Sequence, residues 1–321
     1  MKAILLNKND DYPKLVDFDI PKEYLKKEKV QVIAAALNHR DLWIVKGQYA
    51  GLKYPIILGS DCVGTHLGKK VIINPGQFWG PDEKVQSKQF KILGLPDHGT
   101  MAEYVYVDKQ FIYPKPEHLT DIEASALPLG GLTAYRALFS RGNIEKGEKI
   151  LISGIGGGVA LFALQFALAE GLEVYVTSSS PKKIEKAIEL GAKGGFDYTD
   201  SNYAEKISQS AGEFDVILDS AAGESFNQFL KIIKPAGRII IYGGTRGKIQ
   251  NLIPQIIFWK QISILGSTMG SDKDFRDMLD FVNRHKIKPV VDSVFDFINS
   301  TEAFKRMERG EQFGKIVLQN K

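Results

Sequence analysis

Between residues 153 and 165 the chain reads SGIGGGVALFALQ, with Gly154, Gly156, Gly157 and Gly158 packed together. Glycine lets a backbone turn sharply and approach a bulky anion. A pyrophosphate can then sit at a helix N-terminus, where unpaired N–H groups and the helix dipole favour negative charge. That chemistry needs a strand directly before the glycines and a helix directly after them. The preceding KILIS reads as a short buried strand, and residues 159–170, from Val159 onward, read as a helix with little polar face. The best spacing is Gly154-x-x-Gly157-x-x-Ala160, in which alanine stands where a small residue lets helix and strand pack closely. A slack linker would explain the glycines but not their flanks. The stretch therefore predicts a dinucleotide site.

The end of the next strand selects the dinucleotide. NAD sites usually place a carboxylate there for the ribose hydroxyls. Here the chain reads VTSSSPKK, with Ser178, Ser179, Ser180, Lys182 and Lys183 and no acid. Hydroxyl and ammonium groups suit a 2′-phosphate, so NADPH is the expected cofactor. SSSP is also a good helix start, a serine cap followed by proline in the first turn, and both roles are compatible.

These residues must be held by alternating elements. EVYVTS, FDVILDS, GRIIIYGG and QISILGS read as further strands separated by helical stretches such as 181–190. Strands alternating with helices mean βαβ units and a parallel sheet. The first 120 residues differ: KVQVIAAAL, KKVIINPG and AEYVYVD are short β-rich pieces broken by Gly and Pro, as in an antiparallel or barrel-like domain. Beyond residue 274, FRDMLDFVNRH reads as a helix and FGKIVL as a last strand.

A length of 321 residues suggests two domains, and 44% hydrophobic with 25% charged residues is ordinary for a globular protein. The net charge of +4 is small, which argues against nucleic acid or an anionic membrane as partner. A single cysteine, Cys62, cannot form an internal disulfide or a four-cysteine metal site. With no apolar leader and no run of transmembrane length, a cytoplasmic location is expected.

Taken with the β-rich front half and the closing GKIVL, the stretches ALNHRDLWIVKGQY, LPLGGLTAYRAL, SGIGGGVALFALQ and ILGSTMG resemble the medium-chain dehydrogenase/reductase superfamily, in particular its quinone oxidoreductase-like and zinc-type alcohol dehydrogenase-like members. The resemblance covers essentially the whole chain. It implies an α/β fold: a Rossmann doubly wound parallel sheet at 121–267, plus a β-rich GroES-like partial-barrel domain from 1–120 and 268–321. It also implies a homodimer, because the apolar QISILGST would otherwise be an exposed sheet edge. By the same resemblance Asn38 and Tyr49 line the acceptor cleft, and Asp41 orients their loop. Thr133 faces the cofactor, and Lys183 and Tyr198 flank the 2′-phosphate. Tyr242, Gly243 and Gly244 end a strand beside the nicotinamide, and Gly266 to Met269 follow the last strand of the sheet, with Gly266, Ser267 and Thr268 also binding the cofactor.

The family's catalytic zinc is held by Cys, His and a second Cys. The matching positions here are Asn38, Ser60 and Leu129, none of them a zinc-ligand type. The structural zinc lobe would fall at 74–94, which has no cysteine. His39 and His66 lack a second ligand at useful spacing. No metal is expected. Without one, hydride transfer suits an acceptor that is already electron-poor, a quinone or an activated alkene such as an enone, with Asn38 and Tyr49 bonding its oxygen. Two alternatives remain: a 2-enoyl-thioester reductase, with Arg246 and Lys248 as a basic rim for carrier phosphates, and an NADPH-binding protein without catalysis.

Overall fold

The computed structural model describes all 321 residues. The chain forms two units, residues 1–132 with 270–321, and residues 133–269.

In the first unit the principal sheet runs in the order Ile112–Pro114, Lys69–Ile73, Asp61–His66, Glu28–Ala36, Lys315–Gln319, Val291–Asp296, with Tyr104–Val107 also paired to Glu28–Ala36. Every pairing is antiparallel except the last two strands. A smaller sheet joins Lys14–Asp17, Lys2–Leu6 and Ile56–Ile57. Ile4, Leu6, Val30, Leu37, Ile44, Leu58, Phe111 and Phe304 fill the core. Glu28–Ala36 begins with alternating exposure and ends in three fully buried alanines. The small side chains let the helix Asp121–Ala126 pack on this strand and on its neighbours Asp61–His66 and Lys315–Gln319. That helix opens with a capping box: Thr120 Oγ1 accepts from Glu123 N–H, and the Glu123 carboxylate accepts from Thr120 N–H at 2.8 Å. Residues 121–132, expected with the cofactor unit, therefore belong to the first unit.

The lobe at 74–94 is a short hairpin, Gly76–Gln77 against Lys91–Ile92. Its interior is Trp79, edge-to-face with Phe90 at 5.1 Å and donating its indole N–H to Asp82 O at 2.9 Å.

In the second unit six strands form one wholly parallel sheet, ordered Gly194–Asp197, Glu173–Ser178, Lys149–Ile152, Phe214–Asp219, Ile233–Ile241, Ser263–Gly266. In chain order this is 3-2-1-4-5-6, the doubly wound arrangement whose direction reverses beside Lys149–Ile152. The glycine stretch leaves the sheet at that switch point. The outermost strand, Ser263–Gly266, pairs on one side only. Beside it the helix Pro254–Lys260 buries none of its residues; Phe258 is 65% and Trp259 84% exposed. No helix in the chain is long and apolar enough to cross a membrane.

Candidate functional site: a nucleotide cradle and a buried ion cluster

The glycine turn is pinned from below. Gly154 N–H donates to Thr177 Oγ1 at 3.2 Å, and Ile155 N–H donates to Thr177 O at 2.8 Å. Gly154 and Gly156 adopt φ of 67° and 128°, open to glycine at little cost. The Lys183 side chain lies across this turn, so that a Cβ at Gly156 would stand 2.9 Å from its Cδ and 3.3 Å from its Nζ. The helix Gly158–Glu170 then starts from Gly157 with no side-chain cap, and Gly157, Gly158 and Val159 remain half-exposed. Ala160 is buried, as the close helix–strand packing requires. This cradle fits a dinucleotide pyrophosphate.

Ser178 ends its strand, and the register sets Asp197 beside it. Asp197 Oδ1 accepts from the Thr199 N–H at 2.8 Å and hydroxyl at 2.7 Å. The next residue, Tyr198, donates its hydroxyl to Ser179 Oγ at 3.1 Å. The Arg246 guanidinium covers the Tyr198 ring at 4.6 Å from its centroid. Ser179, Tyr198 and Arg246 thus meet. Its loop is held by Arg246 N–H to Ala221 O and Gly223 N–H to Gly247 O.

Asp219 stabilises the same strand ends. Its buried carboxylate accepts from Ser153 Oγ at 2.6 Å, Ala222 N–H at 2.7 Å and Ala221 N–H at 3.2 Å, while burial pushes its carboxyl above the usual range. The Tyr242 phenol is likewise pushed up by burial. A Cβ on Gly243 would come within 2.7 Å of Ser220 O, so the two loops touch there through bare backbone. Gly244, Gly266 and Thr268 line the loops that leave their strands; Ser267 N–H bonds Ile241 O. Thr133 Oγ1 lies 3.9 Å from Met269 Sδ.

In the first unit Asp61 is the centre. One carboxylate oxygen accepts from Leu129 N–H at 2.7 Å; the other accepts from Asn38 Nδ2 at 2.9 Å and Lys315 Nζ at 2.9 Å. Lys315 Nζ also donates to Asn38 Oδ1 at 2.6 Å. Asp61 is fully buried, Lys315 is 4% and Asn38 8% exposed. The partners fix the amide's orientation: an ammonium only donates, so it takes Oδ1, and an anionic carboxylate only accepts, so it takes Nδ2. Asp41 braces the loop, accepting from Asn38 N–H at 2.8 Å and Gly59 N–H at 3.3 Å; burial pushes its carboxyl up, partly offset by Arg40. Ser60 Oγ accepts from Arg40 Nη1 at 2.9 Å and donates to Leu93 O at 2.7 Å. Tyr49 stands outside the cluster, half-buried, with its ring 5.1 Å from the Arg40 guanidinium.

Sequence reasoning missed Asp61 and Lys315. The signal for Lys315 lay inside GKIVL, a charged residue at the start of an otherwise apolar strand.

The chain's relatives fall into place on this geometry. A family described as zinc-binding dehydrogenase matches residues 158–284, and the alcohol dehydrogenase GroES-like domain matches residues 26–117. A zinc-type alcohol dehydrogenase-like protein of Leptosphaeria maculans is 36% identical over 90% of this chain and 89% of its own length. The chain belongs to the medium-chain dehydrogenase/reductase superfamily. Another member, a quinone oxidoreductase of Mus musculus, is 31% identical over 68% of this chain and 69% of its own. The crystal structure of an NAD-dependent alcohol dehydrogenase superposes with a TM-score of 0.92 at 32% identity, covering 100% of both chains. The chain is an oxidoreductase of this superfamily.

The superfamily includes zinc enzymes, so the donor set must be tested. At the three ligand positions stand an amide engaged at both ends, a hydroxyl already donating and accepting, and a leucine that contributes only its N–H. An ammonium lies 2.6 Å from the amide oxygen, where its charge opposes a second cation. These residues do not fit a zinc ion.

Proposed function

We propose that this chain uses NADPH to reduce a quinone or an activated alkene such as an enone, without a metal. The observation that carries the reading is that Asn38, at the first metal-ligand position, is locked into a cluster with Lys315 and Asp61. It leaves polarisation of the acceptor oxygen to hydrogen-bond donors, which suffices for acceptors that are already electron-poor. The glycine turn and the helix N-terminus would hold the pyrophosphate. Ser179, Lys183, Tyr198 and Arg246 would hold the 2′-phosphate, and Thr133, Tyr242–Gly244 and Gly266–Thr268 the nicotinamide end. When bound, NADPH supplies a hydride, two electrons and one proton. The acceptor oxygen then takes the displaced electron pair and a proton from water or Tyr49. Asn38 and Tyr49 would bond that oxygen as its charge grows.

A turnover screen over benzoquinones, enones, enals and crotonyl thioesters with NADPH tests the proposal. Quinones or enones should turn over fastest, and Tyr49→Phe should lower kcat and kcat/KM together by about ten- to a hundredfold, with NADPH binding unchanged. Thioesters as the preferred substrates, or nucleotide binding with no turnover at all, would replace this reading with one of its alternatives.

The proposal includes a homodimer. The open edge Ser263–Gly266 and the neighbouring exposed Phe258 and Trp259 form one apolar margin that a second copy would cover. Light scattering should give twice the 35.7 kDa of one chain, and Trp259→Glu should shift it toward the monomer. A wild-type mass near one chain would refute the dimer.

A further inference from the structure

We propose that Lys315 is a positioning residue for the acceptor, the fixed cation that holds the Asn38 amide by its oxygen and so presents its free Nδ2 hydrogen as a donor. This rests on the reductase reading above and names the device by which that site works. Asn38 Oδ1 accepts from the ammonium and one Nδ2 hydrogen goes to Asp61, so one N–H donor is left for a ligand, the second Nδ2 hydrogen. Lys315 spends two of its three N–H groups on Asn38 and Asp61. The pair therefore keeps two unused donors, one on Nδ2 and one on Nζ. Its complement is an oxygen gaining negative charge, a carbonyl turning into an enolate or a quinone turning into a hydroquinone anion. The ammonium withdraws electron density through Oδ1 and strengthens the amide N–H as a donor, and low exposure keeps water from screening the effect. The same contact prevents the amide from flipping, which would turn an acceptor toward the ligand. Asp61 balances the charge and holds both partners from its place beside Leu129 N–H.

The test is a double-mutant cycle on the full-length protein, with benzoquinone as acceptor. Lys315→Met should lower kcat/KM by about tenfold or more, mainly through kcat, while the NADPH dissociation constant stays within about threefold of wild type. Lys315→Arg should keep most of the activity. Lys315→Met combined with Asn38→Ala should be no slower than Asn38→Ala alone, because the lysine acts through the amide. If Lys315→Met does not fold, the charge-free pair Lys315→Met with Asp61→Asn replaces it and should show the same loss. Unchanged kcat/KM in a folded Lys315→Met variant, or losses that simply add, overturns the proposal. A wild-type protein inactive on every quinone and enone overturns the reductase reading instead, and that result is seen before any variant is made.

Discussion

Alanine at Lys183 and Arg246 together is expected to raise the NADPH dissociation constant by about a hundredfold and to leave that of NADH within about threefold. The two cations come from separate segments of the second unit, Lys183 across the Gly156 turn and Arg246 on the Tyr198 ring. A charge-assisted bond to phosphate contributes roughly 1.5–3 kcal/mol, and the solvent at this rim places each near the low end, about tenfold per residue. Each single variant should then lose about tenfold, in either order. NADH lacks the 2′-phosphate and should not sense the change. Titration of both cofactors by fluorescence decides it. Equal affinities of the wild type for NADPH and NADH would sink the assignment, as would a double variant with wild-type preference.

Asp61→Ala is expected to destabilise the first unit by about 3–5 kcal/mol, the usual cost of leaving a buried charge without its partner. It strands the Lys315 ammonium, the Asn38 amide and the Leu129 N–H at once. On a unit of this size the melting temperature should fall by about 6–20 °C. Removing the second charge as well, in Asp61→Leu with Lys315→Met, should recover a substantial part of the loss, because an apolar pair of similar volume is tolerated where a lone ion is not. A single variant that melts within a degree or two of wild type would show that the cluster is wet or loosely held.

The parallel strands were legible because they are buried on both faces and read as unbroken apolar runs: Glu173–Ser178 matches its predicted span, and Phe214–Asp219 falls one residue short of it. Gly194–Asp197 was missed because GGFD carries no apolar pattern and joins the sheet only through its partner's register. The boundary near residue 121 was misplaced for a related reason: DIEASA reads as a helix, but nothing local says which sheet it covers. The glycine turn between a strand and a helix was legible because its parts are neighbours in sequence. The ion cluster was not, since Lys315 meets Asn38 and Asp61 across 277 and 254 residues. Arg246 was noticed only as a loop cation. Only the fold shows that it stands over Tyr198.

Metal-free hydride transfer is the central claim, and one preparation tests it. The protein is dialysed against a strong chelator, its zinc is counted by elemental analysis, and NADPH oxidation by benzoquinone is followed in the same sample. The donor set at Asn38, Ser60 and Leu129, with Lys315 beside it, predicts far less than one zinc per chain and turnover equal to that of the untreated protein. Activity lost on chelation and restored by added zinc would contradict it.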